Sequence, residues 1–355
     1  MTDAPPRPEQ RGGVVEALRD RGGGDRRSEV AASTCTQPRA CFAGTVPSTL
    51  PTIPALKVAL LYNPTSGHGR AQAAADRLLP HLRDRGHEVV TLTIAESARL
   101  DQAAANAAAL ILVGGDGTVA SALAAAERLA LPIYHVPAGN ENLFARAFGH
   151  SADPAAVATT LERGTTRAID LGIAAHTSDL AQPTRFAIML SLGPDASVIH
   201  RLGAIRAKST GRLAYARPVF DEFLAALRGT RLPALRVWVD GKKVADDAGW
   251  LVVANLPQFA LGVDPAAASG DVDPSDGLLN IAFFPTRSAL GLLPWAARCW
   301  LGRAASHPAC IGATGREIVV QGEGPWQFDG EVGRVLAASD RLRIEARPAA
   351  IRIFV

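Results

Sequence analysis

The clearest chemical signal in the sequence is a glycine-rich segment, Gly114-Gly115-Asp116-Gly117-Thr118. It follows an apolar run at residues 110–113 and precedes a predicted helix. Glycines let a backbone come close to a bulky anion, and the free N–H groups at a helix N-terminus point toward that anion. The segment has neither the lysine of a P-loop nor the G-x-G-x-x-G spacing of dinucleotide-binding folds. It therefore predicts a phosphate-binding loop of a different type.

The elements that must position this loop alternate between strands and helices. An apolar strand at 57–62 ends in a turn-rich loop at 63–67, and an amphipathic helix follows. Strands that alternate with helices of this length form βαβ units with a parallel sheet. The predicted strands are residues 57–62, 88–94, 109–113 and 133–136, and the predicted helices are residues 70–85, 98–107, 119–130 and 142–148.

From about residue 165 the pattern changes to short apolar strands separated by turns. Asp240-Gly241 lies between two strand-like segments and is a strong signal for a two-residue hairpin. This half of the chain is predicted to be a β-sandwich. The predicted strands are residues 167–174, 185–192, 234–240, 250–255, 278–284, 317–321, 341–345 and 351–355.

These patterns divide the chain into three segments. Residues 1–54 are rich in Pro, Gly and Arg, and they cannot bury enough apolar surface to offset the entropy of ordering, so they are predicted to be a disordered extension. Residues 55–164 are predicted to be a three-layer α/β nucleotide-binding domain, and residues 165–355 a β-sandwich. The active site is expected in the cleft between these two domains, where ligand sites preferentially lie.

The composition excludes several broad classes of protein. The 355 residues include 37 Lys plus Arg and 34 Asp plus Glu, which gives a net charge of +3, and 48% of the residues are hydrophobic. This balance argues against a protein that coats nucleic acid. No apolar run approaches the roughly 20 residues of a membrane helix, the N-terminus has no apolar signal core, and the four cysteines lack metal-binding spacing. The sequence therefore predicts a cytoplasmic protein.

An ordered series of motifs resembles the diacylglycerol kinase catalytic-domain family, which includes bacterial diacylglycerol, phosphatidylglycerol-type and sphingosine-type lipid kinases. Beside the glycine-rich segment, N-P-x-S-G occurs at residues 63–67, and residues 137–146 are similar to P-x-G-T-x-N-D-x-A-R. The resemblance covers residues 56–355, and such a series is more specific than any single loop. The later matches are Gly193 with Asp195 and Ala196, Lys208 with Gly211, Ala214 with Tyr215, residues 273–278, and Asp329-Gly330-Glu331.

The resemblance implies an ATP- and Mg²⁺-dependent lipid kinase that transfers the γ-phosphoryl group of ATP to a hydroxyl of diacylglycerol or a related lipid. Phosphoryl transfer depends mainly on positioning and on charge neutralisation, so carboxylates that hold Mg²⁺ beside a phosphate loop are expected. The residues implied to bind the nucleotide are Asn63, Ser66, Gly114, Gly115, Asp116, Gly117, Thr118, Gly139 and Asn140.

Catalytic roles also follow from the resemblance. Asp329 is implied to be the general base that takes a proton from the acceptor hydroxyl and to face Asp116 across the cleft. Glu331 is implied to support the metal and the nucleotide. The alternative for Asp329-Gly330 is an ordinary hairpin turn, because Asp-Gly is common in such turns.

Asp273, Asp276 and the carbonyl group of Leu278 resemble a second metal site of bacterial members, which is structural and distant from the transferred phosphate. Oxygen ligands spaced around Gly277 suit a hard cation. The alternative is an ordinary acidic turn before the strand predicted at residues 278–284.

The chain departs from the family pattern within residues 137–146. Asn140 stands where the family usually has threonine, and Leu143 stands where it has aspartate, so a carboxylate is lost that Glu141 could supply. The change concerns the acceptor and metal geometry more than ATP binding. The departure leaves open a non-catalytic protein that binds a nucleotide or a lipid. A kinase of a soluble acceptor such as NAD or a polyol, from the same superfamily, is the other open alternative.

A lipid substrate requires contact with a membrane surface. Residues 287–303 combine leucines, two tryptophans and arginines in an amphipathic pattern, which fits an interfacial helix or a helix packed on the sandwich. The expected partners are ATP, a lipid and, as a peripheral contact, the inner face of the membrane, with a homodimer left open and no nucleic acid. A basic run, which fits anionic headgroups or a solvated helix face, consists of Arg201, Arg206, Lys208, Arg212 and Arg217.

Overall fold

The computed structural model describes residues 55–205, 231–257, 268–300 and 310–355, together with residues 220, 221, 224 and 229. The predicted extension at residues 1–54 lies outside the described residues. The same is true of the basic run beyond Arg201, because residues 206–219 are not described.

The first half of the described chain is an α/β structure with the predicted parallel sheet. Its strands lie in the order β2-β1-β3-β4, and each neighbouring pair is parallel. The elements are β1 (Lys57–Tyr62), α1 (Arg70–Asp84), β2 (Glu88–Thr93), α2 (Leu100–Ala103), β3 (Ala109–Gly114), α3 (Asp116–Leu129), β4 (Pro132–Pro137), α4 (Leu143–Ala147) and α5 (Pro154–Arg163).

Both faces of this sheet are covered by helices. Successive strand residues point to opposite faces, and β1 divides accordingly, since Val58 and Leu60 pack with α1 and α5 while Ala59 and Leu61 pack with α3. A strand buried on both sides is expected to be continuously apolar, which explains why β1 and β3 were recognisable in the sequence. The three-layer arrangement is therefore confirmed.

The second half is a sandwich of mainly antiparallel strands. One sheet has the order β12-β11-β10-β7-β14-β15, and its apolar side chains pack against those of β8, β13 and β16 in a core of their own. The elements are β5 (Thr166–His176), β6 (Asp179–Phe186), β7 (Met189–Leu192), α6 (Pro194–Ile205), β8 (Leu235–Val239), β9 (Lys242–Ala248), β10 (Trp250–Ala254), β11 (Leu279–Phe284), α7 (Leu293–Trp300), β12 (Ile311–Gly315), β13 (Glu317–Gln321), β14 (Trp326–Phe328), β15 (Glu331–Val332) and β16 (Arg341–Phe354).

The last strand, β16, belongs to both halves. Arg352 and Ile353 pair with β4 in parallel, whereas residues 341–345 pair antiparallel with β13. Most of its length also pairs with β5, with an irregularity between Arg347 and Ile351. The parallel sheet and one sheet of the sandwich are consequently a single ten-stranded sheet.

Several elements differ from the sequence-based predictions. The helix predicted at 98–107 is a 3₁₀ turn over Ile94–Arg99 followed by the short α2. The strands predicted at 341–345 and 351–355 are one strand, and the strand predicted at 185–192 is broken at residues 187 and 188. Helix α5 was not predicted, although the sequence carries three strong helix signals. Asp153 caps the helix, Pro154 is its first residue and Gly164 ends it.

Candidate active site

Three loops meet at the carboxyl ends of β1, β3 and β4. The N–H of Asn63, just after β1, donates to the carbonyl of Val113 at 3.1 Å. The carbonyl of Gly114 accepts N–H groups from Ala138 and Gly139 at 2.7 and 3.0 Å. α/β folds bind their ligands in crevices at the carboxyl ends of parallel strands. The residues predicted to bind the nucleotide lie at this end of the sheet.

The second and third loops touch through two glycines. A methyl group added to Gly139 would lie 2.5 Å from the Cα of Gly115, which is closer than real side chains come. Asn142 holds this contact, because its Oδ1 accepts the N–H of Gly139 at 2.8 Å. A methyl group on Gly115 would also lie 3.7 Å from Ser66 Oγ, so Ser66 borders the same place.

Arg70, at the start of α1, joins the first and third loops. Its Nη2 donates to the carbonyl of Gly139 at 2.8 Å and to Asn140 Oδ1 at 3.4 Å, and its Nε donates to the carbonyl of Gly67 at 2.9 Å. Sequence reasoning missed this residue because it was counted only as the first residue of a helix. The same side chain borders a cavity of about 320 Å³, which is lined by Arg70, Ala73, Ala74, Arg77, Pro137, Ala138 and Ala152.

His135 supports the glycine-rich loop from below. Its ring is fully buried, and its Nε2 lies 3.1 Å from the carbonyl oxygen of Gly114. Burial lowers the pKa of His135 to about 4, so the ring is neutral near pH 7 and donates this hydrogen bond from Nε2. The sequence offered no spacing that would single out this histidine.

Asp116 is held by the start of α4. Its two carboxylate oxygens accept the N–H groups of Leu143 and Phe144, both at 3.0 Å. Part of the residue is exposed, but the carboxyl group is shielded, and this burial raises its pKa. The side chain of Leu143, which replaces the family aspartate, packs in the hydrophobic core with Val119. That position therefore supplies a backbone donor to Asp116 and no carboxylate.

Asp329 occupies a hairpin turn and is also buried. Asp329 and Gly330 have φ values of 47° and 80° and connect β14 to β15, as in the two-residue turns that favour Asp-Gly. Its carboxylate accepts the N–H groups of Ala187, Ile188 and Met189 at 2.8, 2.9 and 2.9 Å. These bonds use the backbone that would otherwise continue a strand, which explains the break before β7. Asp329-Gly330 therefore forms the hairpin turn and, at the same time, places a carboxylate in a fixed position.

The electrostatic environment of Asp329 favours its neutral form. Burial raises its pKa to about 7, the three N–H donors oppose this change, and the nearby charge of Asp116 adds to it. The two aspartates therefore lie close enough to interact. A carboxyl group that titrates near neutral pH is suited to exchanging protons with a substrate.

Glu331 connects the sandwich to the glycine-rich loop. A methyl group on Gly117 would lie 2.4 Å from Glu331 Oε1, so the carboxylate rests against this glycine. Asp116, Asp329 and Glu331 thus border one region between the two halves. Among the residues that the structure describes, no group of three or more His, Cys, Asp or Glu side chains is arranged to hold a metal ion.

The guanidinium group of Arg167 contacts the loop that is predicted to hold a second metal. Arg167 Nη2 donates to Asp273 Oδ1 at 2.8 Å, and the hydroxyl of Ser275 donates to the same oxygen at 2.7 Å. The bond from Ser275, followed by the charge of Arg167, lowers the pKa of Asp273. Asp276 accepts the N–H of Leu278 at 2.8 Å. A cation would have to displace the guanidinium from Oδ1, and the metal assignment of Asp273, Asp276 and Leu278 stays a prediction.

The tryptophan-bearing stretch is partly packed on the sandwich. Trp295 is buried and makes edge contacts with Trp250 and Phe284, whereas Leu290 and Leu293 are 39% and 48% exposed. In the part of the chain that is described, no helix has both the length and the apolar character needed to cross a bilayer.

Two models of known protein families match the chain, one in each half. A family model described as "Diacylglycerol kinase catalytic domain" matches residues 57–174. A second, described as "YegS C-terminal NAD kinase beta sandwich-like domain", matches residues 189–355.

Individual relatives and solved structures agree with these matches. A protein of Mycobacterium tuberculosis (strain CDC 1551 / Oshkosh) named "Diacylglycerol kinase" is 33% identical over 248 residues, which cover 67% of this chain and 76% of that protein. The protein sll0036 of Synechocystis is 24% identical over 320 residues, which cover 83% of this chain and 69% of that protein. The crystal structure of a diacylglycerol kinase from Bacillus anthracis has the same fold, with a TM-score of 0.58 and 17% identity over 84% of this chain and 96% of the other.

Proposed function

The chain belongs to the diacylglycerol kinase family, and from this membership we propose that it transfers the γ-phosphoryl group of ATP to a hydroxyl group of diacylglycerol or a related lipid. The observation that carries the proposal is the position of Asp329. Its buried carboxylate is held by three backbone N–H groups. Glu331, two residues later, rests against Gly117 of the glycine-rich loop that also carries Asp116.

The converging loops support ATP as the phosphoryl donor. The contact between Gly115 and Gly139 brings the second and third loops together at the edge of the sheet where a triphosphate would bind. Thr118 lies in the first turn of α3, where the helix dipole favours an anion. Asn63 and Ser66 border the same edge from the first loop.

Asp116 and Glu331 are the residues that would hold Mg²⁺ with the nucleotide. Their donor chemistry fits, since Mg²⁺ in kinases is usually bound by one or two carboxylates together with substrate phosphates. Each oxygen of Asp116 accepts one backbone N–H and keeps a further lone pair. When bound, the ion would neutralise charge on the transferred phosphoryl group.

Asp329 is proposed as the general base. Its Oδ2 accepts the N–H of Ala187 and keeps a lone pair for the acceptor hydroxyl. A pKa of about 7 makes the carboxylate basic enough to accept the hydroxyl proton while a large fraction stays ionised near neutral pH. The three backbone donors fix its orientation before the substrate binds, which is the form of preorganisation that proton transfer requires.

A lipid acceptor also requires contact with a membrane surface. Leu290 and Leu293 lie within three residues of each other and expose a large part of their side chains, so they are the proposed contact of the 287–300 segment with lipid. The resemblance of residues 189–355 to an NAD kinase-like sandwich favours a soluble acceptor as the second candidate.

The test is transfer of radiolabelled phosphate from ATP to a panel of acceptors by the full chain. The panel contains vesicles with diacylglycerol, vesicles without it, NAD and simple polyols. The proposal expects label in a chloroform-soluble product only when diacylglycerol or a related lipid is present. Label in NAD or a polyol alone would replace the lipid proposal with the soluble acceptor.

The variant Asp329→Asn tests the role of the base. We expect a loss of turnover of about 10²–10⁴-fold with ATP binding retained, and full activity in this variant would refute the assignment. The matched control is Asp240→Asn, since Asp240 has the same φ of 47° in an Asp-Gly hairpin, between β8 and β9, and is exposed.

A further inference from the structure

We propose that Gln327 and Asp195 are positioning residues that set the turn carrying Asp329. This inference rests on the proposed function, because it assigns these residues to the geometry of the proposed base. The two side chains belong to a buried polar network that runs from the turn to β7 and to Trp250.

Gln327 is the direct link to the turn. It lies on β14, the residue is only 3% exposed, and its Oε1 accepts the N–H of Gly330 at 3.0 Å. Its Nε2 donates to Ser191 Oγ at 2.8 Å and to Asp195 Oδ2 at 3.2 Å. The amide can make these bonds in only one orientation, because its nitrogen only donates and its oxygen only accepts.

Asp195 selects that orientation. Its Oδ1 accepts the indole N–H of Trp250 at 2.8 Å, and its Oδ2 accepts from the hydroxyl of Ser191 as well as from Gln327. The two oxygens on this side, Ser191 Oγ and Asp195 Oδ2, both accept from the nitrogen of Gln327 and hold it toward them. The oxygen of Gln327 then faces the N–H of Gly330, next to Asp329.

The turn must be fixed in place because it carries the proposed base. Its backbone conformation is one that Asp-Gly hairpins favour, so the conformation alone does not set where the turn lies relative to β7. The carboxylate must also meet the N–H groups of residues 187–189 within hydrogen-bonding distance. If Gly330 shifts by a fraction of an ångström, these contacts lengthen and the base loses its orientation. Gln327 and Asp195 therefore act on the chemical step through geometry.

An exchange of the two side-chain types tests the network. In Asp195→Asn, the new amide donates toward Gln327, so the Gln327 amide rotates and turns its nitrogen against the N–H of Gly330. In Gln327→Glu, two carboxylates face each other in a buried site. In the double variant Asp195→Asn/Gln327→Glu, one carboxylate remains, the Asn nitrogen donates to the Glu, and the second Glu oxygen again accepts from Gly330.

The expected result is a specific pattern in turnover. Each single variant should lower kcat about tenfold or more, with KM for ATP within about twofold of the wild type. The double variant should recover kcat to within about threefold of the wild type. Gln321→Leu, a change on the preceding strand β13, is the matched control and should leave kcat unchanged. Wild-type kcat in folded single variants, an equal rise in KM, or no recovery in the double variant would overturn the proposal.

A second measurement separates this inference from the proposed function. Amide hydrogen exchange of residues 187–189 reports the contacts of Asp329 without any turnover. The proposal expects protection there to fall in both single variants and to return in the double variant, and unchanged protection would overturn it. Absence of phosphoryl transfer by the wild type to any acceptor would disprove the proposed function, and the exchange pattern would then decide the positioning role alone.

Discussion

Replacing Asp329 by asparagine is expected to remove a pH-dependent loss of folding stability. The pKa of Asp329 is raised from 3.8 to about 7 in the folded chain, mainly because its carboxyl group is buried. The folded state therefore holds this proton more tightly than the unfolded state. The resulting stabilisation is fully present below pH 3.8 and is lost as the pH rises through about 7. Asparagine has no proton to lose, so the variant lacks this dependence.

The size of the effect follows from the two pKa values. The full difference between 3.8 and about 7 corresponds to about 4 kcal/mol of unfolding free energy. A little over half of it, about 2–3 kcal/mol, falls between pH 5 and pH 8. The asparagine also places an N–H₂ group against one of the three backbone donors, which costs about 1–3 kcal/mol at both pH values and cancels in the comparison between them.

The assay is urea unfolding of the wild type and of Asp329→Asn at pH 5 and pH 8, without nucleotide or Mg²⁺, followed by fluorescence and by circular dichroism. The quantity to compare between the two proteins is the change in unfolding free energy from pH 5 to pH 8. The contributions of the other titrating groups are the same in both proteins and cancel in this comparison. We expect the wild type to lose about 2–3 kcal/mol more than the variant. Asp240→Asn, in the equivalent exposed turn, should behave as the wild type does.

Two results would refute this reasoning. If the wild type and Asp329→Asn changed in parallel, to within about 1 kcal/mol, Asp329 would not retain its proton at neutral pH. If Asp240→Asn produced the same difference as Asp329→Asn, the effect would belong to the turn conformation and not to burial of the carboxyl group.

Three further predictions concern the loops and the acidic turn. Gly117→Ala should push the Glu331 carboxylate away, because the added methyl group would lie 2.4 Å from Oε1. We expect kcat to fall about tenfold, while the ATP affinity measured by calorimetry stays within about twofold of the wild type. An unchanged kcat would contradict the contact. Arg70→Ala should raise KM for ATP about three- to tenfold in steady-state assays, because the variant loses the hydrogen bonds to Gly67 and Gly139. Arg77→Ala, a change at the same cavity, should leave KM unchanged. Equal effects of the two variants would argue that Arg70 does not join the two loops. Arg167→Gln should give a melting temperature that rises by about 2–4 °C with millimolar Mg²⁺, more than in the wild type, because the guanidinium no longer competes for Asp273; no Mg²⁺ response in either protein would count against the second metal site.

Local patterns predicted the elements well where burial or the residue types of a turn decide them. The strand at 57–62 and the hairpin at Asp240-Gly241 appear where their residue types indicate them. Helix α3 begins three residues earlier than predicted, at Asp116. Periodicity could not locate that start, because the glycines that open the helix carry no hydrophobic signal.

The site was only partly accessible from the sequence. The motif residues led to Asp116, Asp329 and Glu331, but the groups that hold them come from distant parts of the chain. The N–H groups of residues 187–189 lie about 140 positions from Asp329, and no local pattern relates backbone donors at such a separation. Arg70 was missed for a similar reason, since its two shortest hydrogen bonds are to backbone carbonyl groups, which every residue type carries.

The path of β16 has a consequence for how the protein is made. Residues 352 and 353 pair with β4, which the ribosome synthesises more than 200 residues earlier. His150 depends on the same late segment, because its Nε2 lies 2.9 Å from the carbonyl oxygen of Phe354. Until β16 has left the ribosome, the edge of β4 that faces it has none of its final hydrogen-bonding partners from that strand. The nucleotide-binding half therefore completes its sheet only after the sandwich has been synthesised, and a fragment cut at the boundary between the halves would expose this edge.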